Sequence, residues 1–444
     1  MTSAETHRIA VVGAGIAGLA SAWLLSQRHD VTLFEAGSTP GGHTNTVDVT
    51  LDGVTHPVDT GFLVFNERTY PNLVALFERL GVETVETQMT FAVSLEDPDL
   101  EWAGSSLLSV FGQGRNLLRR RFWGMLSDIL RFNRESLAWL ATHPQQERSL
   151  RDFLAEGRYS DAFAHWYLLP MAAAIWSCPV ARMFDMPLAT FVRFCHNHGL
   201  LQVFDRPQWR TVRGGGREYV RRLAAQLDDL RTACPVGAVT RDGHGLQLAH
   251  AGGSERFDRV VMACHSDQAL AILGHTASPA QRAILAAIRY QPNRAVLHTD
   301  ERLLPRDRKL WSAWNYFAGR GDPGTQPVGV SYLINRLQPL PFRTPVVVTL
   351  NPAREPDPNR VIAEFEYEHP LFDAAAIAAQ QRLAGVQGEN GIWLAGAWCG
   401  YGFHEDGLNS ALRIANGMGL RAPWQRDLVP ANPELATAEL SHAR

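Results

Sequence analysis

The chain of 444 residues is almost without lysine: 42 residues are basic, and all but Lys309 are arginine. Chemistry that needs a lysine has that one residue to use. Cysteine is scarce as well. Cys178, Cys195, Cys234, Cys264 and Cys399 are an odd number, widely spaced, with no CxxC pair and no histidines nearby at ligand spacing, which argues against a disulfide framework and a zinc site. Excess positive charge is missing. With a formal net charge of −3 there is no cationic field to hold a nucleic-acid backbone. Long apolar spans are missing too. Residues 9–27 are uncharged, but three glycines break them and no basic leader with a small-residue cleavage site accompanies them, so a signal peptide is not indicated. Residues 162–181 are uncharged but carry His165, Pro170, Ser177 and Pro179, which argue against a bilayer span. The expectation is a cytoplasmic globular protein without a metal, whose contact with the inner membrane face, if any, is peripheral.

What is present is an ordinary folding composition, 45% apolar and 20% charged, with length for two or three domains. Arg8-Ile9-Ala10-Val11-Val12 reads as a short strand, Gly13-Ala14-Gly15-Ile16-Ala17-Gly18 as G-x-G-x-x-G, and 19–26 as an apolar helix. Val31-Thr32-Leu33-Phe34 is a second strand ending at Glu35 and Ala36. In this order Gly13 permits the tight turn, Gly15 lets a pyrophosphate approach the backbone, and Gly18 lets helix pack on strand. The helix N-terminus then faces the phosphates, and Glu35 accepts from an adenosine ribose while repelling a 2′-phosphate. NADP is disfavoured.

A longer cofactor than NAD is indicated by Gly41-Gly42-His43, a second close backbone approach just after Glu35. Near the other end, 391–398 reads as a strand running into a turn at Gly396-Ala397. Asp406-Gly407-Leu408-Asn409 then opens a helix that runs to 418. That second helix N-terminus would set a positive dipole end against a flavin, where reduction develops negative charge.

These motifs resemble the flavin-containing amine oxidase superfamily, which includes monoamine oxidases, protoporphyrinogen oxidases and carotenoid desaturases, and more narrowly a bacterial branch of FAD-binding oxidoreductases. Asp59-Thr60-Gly61-Phe62, Asn197-His198-Gly199, Trp311-Ser312-Ala313-Trp314 and 400–407 carry the same resemblance. It implies an α/β chain: a Rossmann-type FAD domain built from discontinuous segments, 1–75, 205–265 and 385–425, and a substrate domain of mixed sheet and helices, 76–204 and 266–384. Residues 426–444 read as a tail. A hairpin at 236–241 and 245–250 precedes a strand at 257–263 that rejoins the parallel sheet. The resemblance further implies non-covalent FAD, with the backbone of Val236 at the adenine and Gly61 and Phe62 among the contacts. Cys399 is a disfavoured covalent anchor. Arg213-Gly214-Gly215-Gly216 would pass close to the isoalloxazine.

A helix over 116–143 shows an apolar stripe of Leu118, Phe122, Met125, Leu126, Ile129 and Leu137, with Arg119, Arg120, Arg121, Arg131 and Arg134 opposite. It reads as a core-facing helix with a solvated arginine face, and also fits an anionic membrane surface. The resemblance implies hydride removal to flavin N5, with oxygen or another acceptor receiving the electrons. The candidate catalytic residues are His404 and Glu405, titratable groups before the flavin-facing helix; Lys309, placed near where amine oxidases hold a water; and Tyr332. Asn315 and Tyr316 are further cavity candidates. His56, His196, His198, His265 and His298 read as scattered structural histidines. Asp406 reads equally as a helix cap. The expected substrate is apolar, most of all a fatty-acyl chain on a lipid; an amine or polyamine, a terpenoid or porphyrin, and a non-redox isomerisation are the alternatives.

Overall fold

A computed structural model describes residues 5–143, 148–176, 183–202, 206–320 and 329–425. Strand Arg8–Val12 is buried from Ile9 onward, and helix Ile16–Leu25 is buried along its whole length, as apolar residues on every side dictate. The strand sits at the centre of a five-stranded parallel sheet in the order Asp229–Arg231, Asp30–Phe34, Arg8–Val12, Arg259–Met262, Ile392–Leu394. A fully parallel sheet covered on both faces explains the unbroken apolar runs. Strands from three distant stretches of chain therefore build one sheet.

The hairpin forms as Val236–Asp242 and Gly245–His250, with a third antiparallel strand, Gly253–Phe257, that the sequence pattern did not show. Strand Gly253–Phe257 is largely exposed, and edge strand Asp229–Arg231 is half-exposed, so neither has an apolar alternation to read. Helix His404–Gly417 starts two residues before the expected Asp406. This places His404 and Glu405 inside its first turn rather than in a preceding loop.

The second sheet has seven strands in the order Val361–Leu371, Arg289–His298, Val347–Leu350, Gly329–Leu333, Trp314–Ala318, Phe91–Glu96, Asp99–Ala103, antiparallel except where Trp314–Ala318 meets Phe91–Glu96. Beside it, helix Arg120–Thr142 packs on its neighbours through Phe132, whose ring lies 5.8, 5.4 and 6.3 Å from those of Phe153, Phe163 and Phe191. The expected stripe of that helix is only partly right. Phe122, Met125, Phe132 and Trp139 are buried, but Leu118 lies before the helix and is 88% exposed. Cys178 and the tail at 426–444 lie outside the described residues. Among those residues no helix is long and apolar enough to cross a membrane, and 164–176 is helical.

Gly13 has φ of 99°, a conformation side chains resist, and a Cβ on Gly18 would stand 1.8 Å from the Gly13 carbonyl oxygen. Gly18→Ala must push the first helix off the sheet. The expected result is a loss of about 2–3 kcal/mol of stability together with flavin retention, read from a thermal melt and the visible-to-protein absorbance ratio.

Candidate functional site

A cavity of about 730 Å³ runs between the two sheets. One end is walled by Gly13, Ala14, Gly15, Ile16 and Ala17 with Glu35, Ala36 and Val236; the stretch beyond by Gly41, Gly42, His43, Gly61, Phe62, Gly396 and Ala397. Glu35 is fixed by two backbone amides: Ala14 N–H donates to Oε2 at 2.7 Å and Gly37 N–H to Oε1 at 2.8 Å. A Cβ on Gly15 would meet no atom within 4 Å, so the loop leaves open the space that a pyrophosphate needs. The residues present thus fit a dinucleotide cofactor, whose adenosine Glu35 and Val236 would hold and whose other end would meet Gly396 and Ala397.

Several expected contacts are structural instead. Gly18 packs helix on strand. Gly407 lets helix His404–Gly417 approach Ile16, whose side chain a Cβ there would meet at 2.8 Å, and Leu408 is buried core. Asn409 accepts from Asn72 Nδ2 at 3.0 Å. Asp406 caps the helix by accepting from Phe403 N–H at 3.0 Å. None of these lines the cavity. Gly214, Gly215 and Gly216 do not reach it either; Asp59 holds that turn by accepting from Gly216 N–H at 2.9 Å. Cys399 is buried off the cavity, and burial pushes its thiol up to about 12, so a covalent link there has no support.

The expected catalytic residues are separated. Glu405 accepts from the backbone N–H of Asn72 and of Leu73, at 3.0 and 2.9 Å, capping helix Pro71–Leu80, and it faces away from the cavity. Lys309 sits exposed on the turn Arg308–Leu310, off the cavity. As the chain's only lysine it leaves the cavity without one. Asn315 locks its own turn, donating to Ser312 O at 2.7 Å, and Tyr316 is buried core. Tyr332 and His404 do line the cavity. His404 stacks on Phe62 with ring centres 3.7 Å apart, and its Nε2 lies 2.9 Å from Thr44 Oγ1 and 3.0 Å from Tyr219 Oη.

Past the flavin end the wall is aromatic and apolar: Trp176, Phe194, Trp314, Tyr332, Tyr401 and Phe403 among others, and among the described residues no lysine or arginine lines it. His198 belongs to this wall. It stacks on Phe194 at 4.0 Å, and its Nδ1 donates to the Phe194 carbonyl at 3.0 Å, leaving Nε2 as the unprotonated nitrogen. Among the described residues the indole N–H groups of Trp176 and Trp314 have no partner. A cluster of His43, His265 and His369 closes one side, with His43 ring centres 5.9 and 5.5 Å from the other two. His43 follows the glycine pair that the sequence singles out, Trp176 belongs to an apolar helix that reads as a wall, and Tyr401 lies in the 400–407 motif; His369 carried no sequence signal, since an isolated ring in a strand reads as core. His56, His196 and His298 lie off the cavity.

Fold and cavity define an α/β protein with a dinucleotide cofactor site opening onto an apolar chamber. A family model described as flavin-containing amine oxidoreductase matches residues 16–343. The chain belongs to that family, an oxidoreductase family whose flavin, FAD, is the cofactor the glycine loop fits. A carotenoid phi-ring synthase of Streptomyces griseus is 29% identical over 282 residues, 59% of this chain and 53% of that protein. The chain spans 12% of the length of another curated relative. Among solved structures, a CLA-producing fatty acid isomerase from P. acnes matches with TM-score 0.65 at 16% identity, covering 91% of this chain and 97% of that one. Cyclohexylamine oxidase from Brevibacterium oxydans matches with TM-score 0.63 at 18% identity, covering 94% and 100%. These structural likenesses establish the fold.

Burial, aided by the neighbouring histidines, pushes His43 down to about 3, and burial pushes His404 to about 3 and His198 and His369 to about 4. All four are neutral when folded, while the unfolded chain protonates them below its ordinary 6.5. The unfolded state therefore binds more protons, so their stability contribution is whole above 6.5 and drains away as pH falls toward those depressed values. Asp59 and Asp406, raised to about 7 by burial, oppose this, favouring the fold at acid pH and losing that contribution as pH rises through 7. Burial lowers His29, His265 and His298 as well and raises Glu405, so the lowered histidines outnumber the raised carboxyl groups. The melting temperature is expected to fall from pH 6.5 toward 4, and less steeply in His404→Gln.

Proposed function

We propose that the protein is an FAD-dependent oxidoreductase that removes hydride from a long apolar substrate, a fatty-acyl chain, leaving a double bond. One observation carries the reading: the chamber beyond the cofactor site is aromatic and apolar, no arginine or lysine among the described residues lines it, and the chain's only lysine stands exposed on a turn off the cavity. An amine oxidase that uses a lysine-held water would need that residue inside. FAD, when bound, supplies the hydride acceptor and passes the electron pair to oxygen or another acceptor. The protein's part is to bind and desolvate the chain between Trp176, Phe194, Trp314, Tyr332 and Tyr401, and to take the accompanying proton. His198 is the group for that role, a neutral ring whose Nδ1 is already committed to the Phe194 carbonyl. The unpartnered indole donors of Trp176 and Trp314 suit an ester or carboxyl oxygen at one end of the substrate.

The fatty acid isomerase and the cyclohexylamine oxidase among the structural neighbours mark the two competing readings. Anaerobic challenge of the holoprotein separates them. Acyl lipids are expected to bleach the flavin's visible band while a panel of amines leaves it unchanged. His198→Ala should slow bleaching by about 100-fold, and Lys309→Met should leave it as in the parent. Bleaching by amines alone overturns the proposal; conversion of an acyl lipid with the flavin oxidised throughout favours isomerisation.

A further inference from the structure

Large apolar side chains that face solvent gather in one stretch, 104–123. Leu107 is 80% exposed, Leu108 87%, Leu118 88%, and Leu117 and Trp123 50% each. Single exposed leucines are ordinary, but these adjoin. Trp123 Nε1 donates to the Leu117 carbonyl at 2.9 Å, its ring centre lies 5.2 Å from that of Phe111, and Phe111 N–H donates to the Leu107 carbonyl. Charge in the stretch has one sign: Arg115, Arg119, Arg120 and Arg121, with no aspartate or glutamate between Gly104 and Trp123. Arg115 pairs with Asp99 at 2.6 Å and Arg119 donates to the Asp99 carbonyl, which anchors the loop to strand Asp99–Ala103 at the sheet edge. Arg120 and Arg121 are exposed, and Arg121 also sets its guanidinium 5.1 Å above the Trp166 ring.

We propose that 104–123 is a docking surface for an anionic lipid bilayer, with the leucines and Trp123 entering the acyl boundary and Arg120 and Arg121 meeting lipid phosphates. Apolar side chains beside unopposed arginines are the pairing such a surface selects. A second copy of this chain is a poorer occupant, because a twofold contact would set Arg120 and Arg121 against the same pair of its copy. The surface also lies a short way from the chamber. Trp102, on the anchoring strand, donates to the Trp166 carbonyl at 3.2 Å, and helix Leu169–Trp176 runs from there to the wall residues Ile175 and Trp176. The proposal does not depend on the substrate being a lipid.

Flotation of the full-length holoprotein with phosphatidylcholine vesicles, with and without phosphatidylglycerol, tests it. The expected result is flotation with the anionic vesicles, lost at high salt. Leu107→Ser with Leu118→Ser should lower the vesicle partition at least about tenfold, and Arg120→Gln with Arg121→Gln should remove the preference for phosphatidylglycerol. Both variants should keep the parent's melting temperature and flavin content, since the altered side chains are exposed. No flotation of the parent, flotation unchanged in the variants, or a sedimentation mass of two chains that the variants reduce to one would each overturn the proposal. Because flotation reads the surface and bleaching reads the chamber, either proposal can fail without the other.

Discussion

Helix Ile16–Leu25 lies against its strand only because Gly18 brings no side chain to the Gly13 carbonyl, and much else depends on that approach. With the helix in place, its start at Ile16 receives Gly407 of the chain's last described helix, so residues nearly four hundred positions apart close one wall. Helix His404–Gly417 in turn presents Glu405 to the start of helix Pro71–Leu80. The flavin site and the wall of the chamber are thus set by a chain of backbone approaches and caps. Polar residues in this region mostly hold elements together; they are not displayed to a ligand.

Burial keeps the histidines of the chamber uncharged. His43, His198, His369 and His404 sit among rings and carbonyls, where desolvation disfavours the imidazolium. A neutral, aromatic chamber suits an uncharged hydrocarbon better than a cation. An ammonium entering it would lose its hydration with no carboxylate of the described residues in the aromatic part of the wall; those that line the cavity elsewhere are Glu35, held by backbone amides, and Glu368, 3.5 Å from His265.

The cofactor half was legible from the sequence because its physics is local. Glycines at 13, 15 and 18, Glu35 and the glycine pair at 41 and 42 all fall within one stretch of about 30 residues and meet one another there: Gly18 approaches Gly13, Ala14 N–H donates to Glu35, and Gly42 lies against Gly15. The chamber was legible only in part: Tyr332 and the apolar stretch at Trp176 pointed to it, but Phe194 reads as plain core, and nothing local shows that these rings, far apart in the chain, share one wall with Trp314 and Tyr401. Glu405 illustrates the same limit. Beside His404 and Asp406 it reads as part of a titratable trio, yet its carboxylate serves a helix more than three hundred residues earlier, a partner no spacing could reveal. Leu118 failed in the other direction: helical periodicity placed it inside, whereas the helix begins just after it.

The account rests on an uncharged chamber that accepts a hydrocarbon chain beside the flavin site, and ligand binding in the dark, oxidised holoprotein tests it most directly. Titrating saturated acyl esters of increasing length against the flavin's visible spectrum should give affinities that rise about fourfold for each added methylene until the chamber is filled. Alkylamines of equal length should bind far more weakly. Affinity indifferent to chain length, or amines binding as tightly as esters, would contradict it.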